Sequence, residues 1–182
     1  MHLQTQRILI IGGPSTGKSS VISALKESGF FCFEEISREV TLAAQKEGIE
    51  QLFLDEPLLF SEKLLEGRIS QFNNADSSSE DFVFYDRGIP DIVAYLDYVN
   101  STYPNKFIDA CENYKYDRVF LFELWEQIYQ QDNERYESFE EAKLIQNYLK
   151  KTYKKYGYEL EIIPFGTIEE RTQYILNKIS KS

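Results

Sequence analysis

Eight residues near the start of the chain have the types and the spacing needed to bind phosphate. Residues 12–19 read Gly-Gly-Pro-Ser-Thr-Gly-Lys-Ser and match the pattern G-x-x-x-x-G-K-[ST]. Glycines allow the backbone to turn tightly and to direct several N–H groups at one anion. At average residue frequencies, a chain of 182 residues contains this pattern by chance roughly 0.007 times. The segment therefore predicts a loop that binds the phosphates of a nucleoside triphosphate.

Two side chains of this loop have distinct predicted roles. We expect the Lys18 ammonium to contact the β- and γ-phosphates and the Ser19 hydroxyl to ligate Mg²⁺. A following helix would add its N-terminal dipole to the anion site. The alternative is an ordinary glycine turn with a surface lysine. The predicted nucleotide-binding residues are Gly12, Gly13, Pro14, Ser15, Thr16, Gly17, Lys18, Ser19 and Ser20.

An acidic and a basic residue follow the third predicted strand, at residues 82–85. Asp86 and Arg87 come directly after this apolar run. In open α/β sheets, ligands bind beyond the carboxyl ends of the strands. We therefore expect Asp86 to hold Mg²⁺, directly or through water, and Arg87 to bind an acceptor group or a phosphate. The alternative is that Asp-Arg-Gly forms only a turn.

Glu34 and Glu35 follow the second predicted strand in the same way, and Arg38 comes shortly after them. Adjacent residues of an extended segment point in opposite directions, so we expect one glutamate, Glu35, to enter the site. It would act as general base toward an acceptor hydroxyl, with Arg38 as a substrate-binding residue. The alternative is an acidic pair that starts a helix, with Arg38 in a surface ion pair.

Two loops near the end of the chain are further candidates. Residues 132–137 are too charged for a core, and they form either a solvated loop or a mobile lid. In a lid, Arg135 would neutralise charge that develops in the transition state. Gly166 and Thr167 follow the fifth predicted strand. They either contact the nucleobase or begin the last helix, with Thr167 as its cap.

Apolar runs alternate with helical patterns along the whole chain, which favours a parallel sheet covered on both faces. We predict an α/β fold of the P-loop NTPase type, kinase-like and doubly wound, with five parallel strands and one domain over residues 1–182. The predicted strands lie at about 7–11, 30–33, 82–85, 119–122 and 160–164. The predicted helices lie at about 19–28, 37–47, 56–74, 90–99, 104–113, 139–156 and 168–179.

Composition excludes several classes of function. The net charge of −10 and the pI of about 4.7 disfavour binding to nucleic acid and to anionic membranes. The sole histidine is His2, so a histidine triad, a histidine base and a histidine metal site are all excluded. Two cysteines, Cys32 and Cys111, do not make a disulfide framework. No apolar stretch is long enough to span a membrane, and nothing resembles a signal peptide, so we expect a cytoplasmic protein.

Several segments carry a resemblance to known families. The run ILIIGGPSTGKS at residues 8–19 resembles the start of the kinase domain of bifunctional ribosylnicotinamide kinases. More of the chain resembles a small family of AAA-type ATP-binding domains, which includes the nucleotide-binding domain of the TRPL translocation defect protein. The segments that match are GGPSTGKS at 12–19, EEISRE at 34–39 and FYDRGIPDIVAYL at 84–96, with a looser match from 116 to 171.

The resemblance implies a kinase-like P-loop fold that binds ATP or GTP. By position, it assigns phosphate binding to Gly17, Lys18 and Ser19, and a metal-side or acceptor-side role to Asp86 and Arg87. It implies a lid role for Arg135. It supplies no acceptor, and we do not expect here the further C-terminal domain that the TRPL-type proteins carry.

Two classes of function remain open at this point. The first is a kinase that transfers the γ-phosphate to a small acceptor with Mg²⁺. The second is a regulatory ATPase or GTPase switch that acts through a protein partner. The guanine-reading pattern N-K-x-D is absent, because Ile108 stands at the fourth position of the run that begins at Asn105. We do not expect a large AAA+ motor, because this sequence has no room for a helical lid domain after the sheet.

Overall fold

The computed structural model describes residues 5–75, 79–128 and 138–180. These residues form one five-stranded sheet in which every pair of neighbouring strands is parallel. The strands, in chain order, are β1 (Gln6–Gly12), β2 (Phe31–Phe33), β3 (Phe82–Asp86), β4 (Arg118–Phe122) and β5 (Leu160–Ile163). Their order across the sheet is β2-β3-β1-β4-β5. The predicted five-stranded parallel sheet is confirmed.

The connections between the strands are helical. The helices are α1 (Lys18–Glu27), α2 (Ser37–Lys46), α3 (Leu52–Asp55), α4 (Pro57–Asn74), α5 (Ile89–Tyr98), α6 (Lys106–Asn113), α7 (Phe139–Lys155) and α8 (Ile168–Ile179). A 3₁₀ turn covers Glu126–Ile128. The short helix α3 was not predicted, because four residues are too few to show helical periodicity. Within the described ranges, none of the helices has the length and apolar character needed to cross a membrane.

Both faces of the sheet are buried. On one face, Ile8 and Ile10 of β1 pack with residues of α1 and α8. On the other face, Leu9 and Ile11 pack with residues of α5 and α7. All four side chains are completely buried. Since side chains alternate along a strand, this apolar run fixes β1 between two helical layers and confirms the doubly wound arrangement.

The carboxyl end of β1 is therefore fixed at the centre of the sheet. Ile10 lies opposite Asp86 of β3, and Gly12 lies opposite Phe122 of β4. The chain turns away from the sheet at Gly12, where φ is +151°. A Cβ atom at this position would lie 2.4 Å from the carbonyl oxygen of Phe122. Gly12 is required here because the chain passes closely over β4.

We expect Gly12→Ala to lower the free energy of unfolding by roughly 3 kcal/mol or more, since both the backbone angle and the close contact oppose a side chain. The control is Gly29→Ala, where φ is also positive, at +90°, but nothing lies within 4 Å of the added carbon. That change should cost only about 1 kcal/mol. Urea denaturation measures both values. Equal losses in the two variants would show that the contact with Phe122 does not constrain the fold.

Candidate active site

The phosphate loop runs from the end of β1 into the first turn of α1. Ser15 and Gly17 adopt positive φ angles of 56° and 83°, which curve the chain and let successive N–H groups face one point. Ser19 and Ser20 lie exposed in the first turn of α1. Among the described residues, no side chain caps this helix, which begins at Lys18, and its first turn contains no acidic residue. Its N–H groups and its dipole therefore favour an anion at this end.

Lys18 is buried within the loop, with 6% of the residue exposed. Its ammonium donates hydrogen bonds to the carbonyl oxygen of Gly13 at 2.7 Å and to the hydroxyl of Thr16 at 3.3 Å. Burial, with a further contribution from the cation Arg87, lowers the pKa of Lys18 from 10.5 to about 7, although Asp86 opposes this shift. A phosphate bound beside Lys18 would favour its charged form again.

A second cation holds the loop from the β5 side of the sheet. Arg171 of α8 is buried and donates a hydrogen bond from Nη1 to the carbonyl oxygen of Thr16 at 2.9 Å. Its guanidinium lies over the ring of Phe122, 5.4 Å from the ring centre. A Cβ atom at Gly17 would lie 2.7 Å from Nη2 of Arg171. Arg171 thus fixes the loop and adds positive charge next to it.

Asp86 ends β3 beside the start of the phosphate loop. The residue is 8% exposed. Among the described residues, its Oδ1 atom is buried and has no hydrogen-bond partner. Burial raises the pKa of Asp86 above its ordinary value of 3.8, and the nearby cations Lys18 and Arg87 offset this only in part. A buried carboxylate oxygen of this kind fits a cation or the water molecules around one.

Arg87 sits in a turn that joins the ends of three strands. Its φ angle is +70°, which is uncommon for a residue with a side chain. Its backbone N–H donates to the carbonyl oxygen of Ile10 at 3.0 Å. Its Nε lies 2.5 Å from Oε2 of Glu35, which follows β2, and its Nη1 lies 3.8 Å from Oδ1 of Asp91. The strained turn therefore places the guanidinium between two carboxylates.

Glu35 is bound by a second arginine as well. Arg68 of α4 donates from Nη2 to Oε1 of Glu35 at 3.1 Å and from Nη1 to the carbonyl oxygen of Gly88 at 2.5 Å. The N–H of Ser37 also donates to Oε1, at 3.1 Å. Burial opposes ionisation of Glu35, but Arg68 and Arg87 outweigh it and lower its pKa below the ordinary 4.5. Glu35 is therefore a carboxylate at neutral pH.

The Asp-Arg-Gly turn after β3 is held from behind by α5 and α7. Oδ2 of Asp91 accepts hydrogen bonds from the N–H of Gly88 at 2.9 Å and from the hydroxyl of Tyr153. A Cβ atom at Gly88 would lie 2.7 Å from Cδ2 of Leu9 and 3.0 Å from the Tyr153 hydroxyl. Only glycine fits at position 88 without displacing these groups, so the position of Arg87 is tightly determined.

A surface cavity of about 400 Å³ lies on the other side of the phosphate loop, after β4 and β5. Its lining includes Leu124, Trp125 and Phe165. The rings of Trp125 and Phe165 are stacked, with centroids 5.0 Å apart and planes inclined by 22°. A Cβ atom at Gly13 would lie 3.4 Å from Cδ2 of Leu124, so the cavity borders the loop itself. Phe165 is 55% exposed and offers a flat apolar face.

Some of the residues predicted from the sequence lie together at the phosphate loop, and others lie away from it. Glu35 and Arg87 form an ion pair next to Asp86, and all three contribute to the pKa of Lys18. Glu34 points to solvent and pairs with Lys26, and Arg38 is exposed on α2. Thr167 caps α8 by accepting a hydrogen bond from the N–H of Glu170. Arg135 lies outside the described residues. The functional roles of all these residues stay predictions.

Sequence reasoning missed three charged residues of this site: Arg68, Asp91 and Arg171. All three lie within helices, where a single charged residue is typical of a solvated face. The positions of Arg68 and Asp91 depend on how α4 and α5 pack against the turn after β3. Asp91 and Arg171 carried a signal, because both belong to segments that matched the AAA-type domains, whereas Arg68 carried none.

Solved structures with the same arrangement define the class of fold. A deoxyadenosine kinase from M. mycoides, with the products dCMP and dCDP bound, superposes with a TM-score of 0.72 at 18% identity. The match covers 97% of this chain and 100% of that one. Thymidylate kinase from Candida albicans gives a TM-score of 0.66 at 18% identity, over 98% and 92% of the chains. This protein therefore has the P-loop kinase fold.

A third structure, the NadR protein in complex with NAD and AMP-PNP, gives a TM-score of 0.67 at 14% identity. The match covers 98% of this chain but 49% of that one. No curated protein sequence matches the chain. The sequence pattern of the AAA domain family, however, matches residues 7–171. The chain belongs to this AAA domain family.

We expect Arg68→Met to lower the free energy of unfolding by roughly 1–3 kcal/mol, because it leaves the half-buried Glu35 with one partner fewer. The pH dependence should also change. In the wild type, the stability that ionised Glu35 contributes is present above pH 4.5, and it is lost as pH falls through the lowered pKa of the folded state. Without Arg68 that pKa rises, so the loss should begin at higher pH.

Urea denaturation from about pH 7 down to about pH 3 measures this change. The control is Lys26→Met, which removes the exposed partner of the neighbouring Glu34. It should cost less than about 1 kcal/mol and leave the pH profile unchanged. Identical pH profiles for Arg68→Met and the wild type would contradict the role of Arg68 in holding Glu35 ionised.

Proposed function

We propose that the protein is a kinase that transfers the γ-phosphate of ATP, or of GTP, to a small-molecule acceptor with Mg²⁺. The observation that carries this proposal is the ion pair between Glu35 and Arg87, which lies beside the buried Lys18 and Asp86. A protein that only bound and hydrolysed a nucleotide would have little use for a carboxylate and two arginines on this side of the loop. A kinase uses such groups to orient an acceptor and to receive its proton.

The nucleotide would lie across the carboxyl edge of the sheet. The N–H groups of the phosphate loop and Lys18 would bind the β- and γ-phosphates. The nucleobase would lie toward β4 and β5, on the face of Phe165 beside Trp125, where an apolar surface is open to stacking. The acceptor would then lie on the opposite side of the phosphate loop, between the ends of β2 and β3. The γ-phosphate would lie between the nucleobase and the acceptor.

The residues present fit a bound Mg²⁺. Asp86 offers a buried carboxylate oxygen, and Ser19 lies in the exposed first turn of α1. Within the described ranges, no group of three or more His, Cys, Asp or Glu residues gathers to hold a metal alone. This donor set suits Mg²⁺, which binds through one or two carboxylates together with substrate phosphates. When bound, Mg²⁺ neutralises negative charge on the phosphate oxygens.

The protein groups would then act in a defined order. The loop and Lys18 hold the triphosphate, and Arg87 with Glu35 orients the acceptor hydroxyl. The hydroxyl oxygen attacks the γ-phosphorus while the bond to the β–γ bridging oxygen breaks and ADP leaves. The hydroxyl proton passes to Glu35, whose second oxygen remains bound by Arg68. A predicted lid with Arg135 would exclude water during this step.

The small-molecule acceptor and the role of Arg38 are proposed from the sequence alone. The particular resemblance to the TRPL translocation defect protein and the ribosylnicotinamide kinase likeness provide no acceptor for this chain. The sequence also suggests that Arg38 binds the substrate.

The competing function is a nucleotide-binding switch that acts through a protein partner, and measured turnover distinguishes a switch from a kinase. A kinase releases ADP in proportion to acceptor, whereas a switch hydrolyses ATP slowly until its partner is present.

We expect Asp86→Asn to bind ATP within about tenfold of the wild type but to lower acceptor-dependent turnover by roughly 100-fold or more, since it removes an electrostatic group of the transition state. Turnover is measured with Mg²⁺, ATP and a library of small acceptors, with mass spectrometry of the products. Asp81→Asn is the control, because this aspartate is exposed just before β3. Near wild-type turnover in Asp86→Asn would show that Asp86 has no catalytic role and serves only to form the turn.

A further inference from the structure

Among the described residues, the charges of the arginines and carboxylates on the acceptor side of the site cancel. Glu35 binds both Arg68 and Arg87, with N–O distances of 3.1 and 2.5 Å. Each arginine also has a second polar neighbour. Arg68 donates to the carbonyl oxygen of Gly88 at 2.5 Å, and Arg87 lies 3.8 Å from Asp91. Two arginines thus face two carboxylates, and their formal charges sum to zero.

Burial prevents these arginines from exchanging partners easily. The Arg68 side chain is 4% exposed and the Asp91 side chain is 4% exposed. Arg68 therefore has almost no surface to offer a ligand. The Arg87 side chain is 29% exposed and can contact an acceptor, but it does so while it is paired with Glu35. Breaking the pair with Glu35 would be costly, because it would leave a half-buried charge uncompensated.

We infer that the acceptor is an uncharged molecule with a hydroxyl group, and that phosphate esters are poor acceptors. The inference rests on the proposed kinase function and specifies its substrate class. A phosphate acceptor would need cations of its own. Here it would meet arginines that are already neutralised, together with the carboxylates of Glu35, Asp86 and Asp91 and the negative triphosphate.

An alcohol suits the same groups. Its hydroxyl can donate a hydrogen bond to Glu35 and accept one from the exposed part of Arg87. On transfer, its oxygen bonds to the γ-phosphorus, the bond to the bridging oxygen breaks, and that electron pair leaves with ADP. The hydroxyl proton goes to Glu35 and from there to solvent. A phosphate monoester offers its terminal oxygens without a proton at neutral pH and gains nothing from this carboxylate.

The test compares matched pairs of acceptors that differ by one phosphate group. Suitable pairs are adenosine and AMP, thymidine and dTMP, glycerol and glycerol phosphate, and ribose and ribose phosphate. The enzyme is given Mg²⁺ and ATP, and initial product formation is followed by mass spectrometry. We expect the alcohol of the best pair to have a kcat/KM at least about tenfold above that of its phosphate ester.

The outcomes separate this inference from the proposed function. Preference for the phosphate esters would overturn the inference while leaving the kinase function in place, and would point to a cation such as the exposed Arg38 as the anion-binding group. Absence of product from every pair, in a protein that binds ATP, would overturn both.

A charge variant sharpens the test. Glu35→Gln removes one negative charge and keeps the shape, so Arg68 and Arg87 are no longer fully compensated. We expect it to lower turnover of the alcohol and to lower the KM of the phosphate ester, which shifts the preference toward the ester. The matched control is Glu34→Gln, because Glu34 is 71% exposed and pairs with Lys26. Equal changes for both acceptors in Glu35→Gln would contradict the inference.

Discussion

Compensation among buried charges is the constraint on which the rest of the site depends. Among the described residues, Lys18, Arg68 and Arg87 are buried or half-buried at the carboxyl edge of the sheet, and so are Glu35, Asp86 and Asp91. None of these groups would be stable there alone, because an isolated charge away from water is costly. Glu35, Arg68 and Arg87 stabilise one another from different elements, whereas the burial of Lys18 and Asp86 is offset only in part. The paired groups make that part of the site rigid.

This rigidity comes from the sheet. The apolar run of β1 is buried on both faces, so the point where the chain turns into the phosphate loop cannot shift. The pairing of Ile10 with Asp86 then fixes the end of β3 beside that loop. The hydrogen bond from the N–H of Arg87 to the carbonyl oxygen of Ile10 extends the same constraint to Arg87. The phosphate loop, Asp86 and Arg87 are thus positioned by one strand.

The phosphate loop and the sheet could be predicted because their signals are local. Glycine and lysine spacing defines the loop, and short apolar runs between helical patterns define the strands. The same reasoning selected Asp86, Arg87 and Glu35 as candidates, since each follows a strand. It could not find Arg68, whose role depends on a contact between distant segments. A Cβ atom at Gly67 would lie 2.4 Å from Cδ1 of Ile36, so this glycine lets α4 approach Glu35 closely.

The most direct test of the account is the affinity of Lys18→Ala for ATP with Mg²⁺, measured by calorimetry. Lys18 supplies a buried positive charge to the loop, so we expect at least about a 100-fold loss of affinity in a variant that still folds. Lys26→Ala, which removes an exposed lysine from the same helix, should stay within about twofold of the wild type. If Lys18→Ala bound ATP as tightly as the wild type, the loop would not be the nucleotide site and the account would be contradicted.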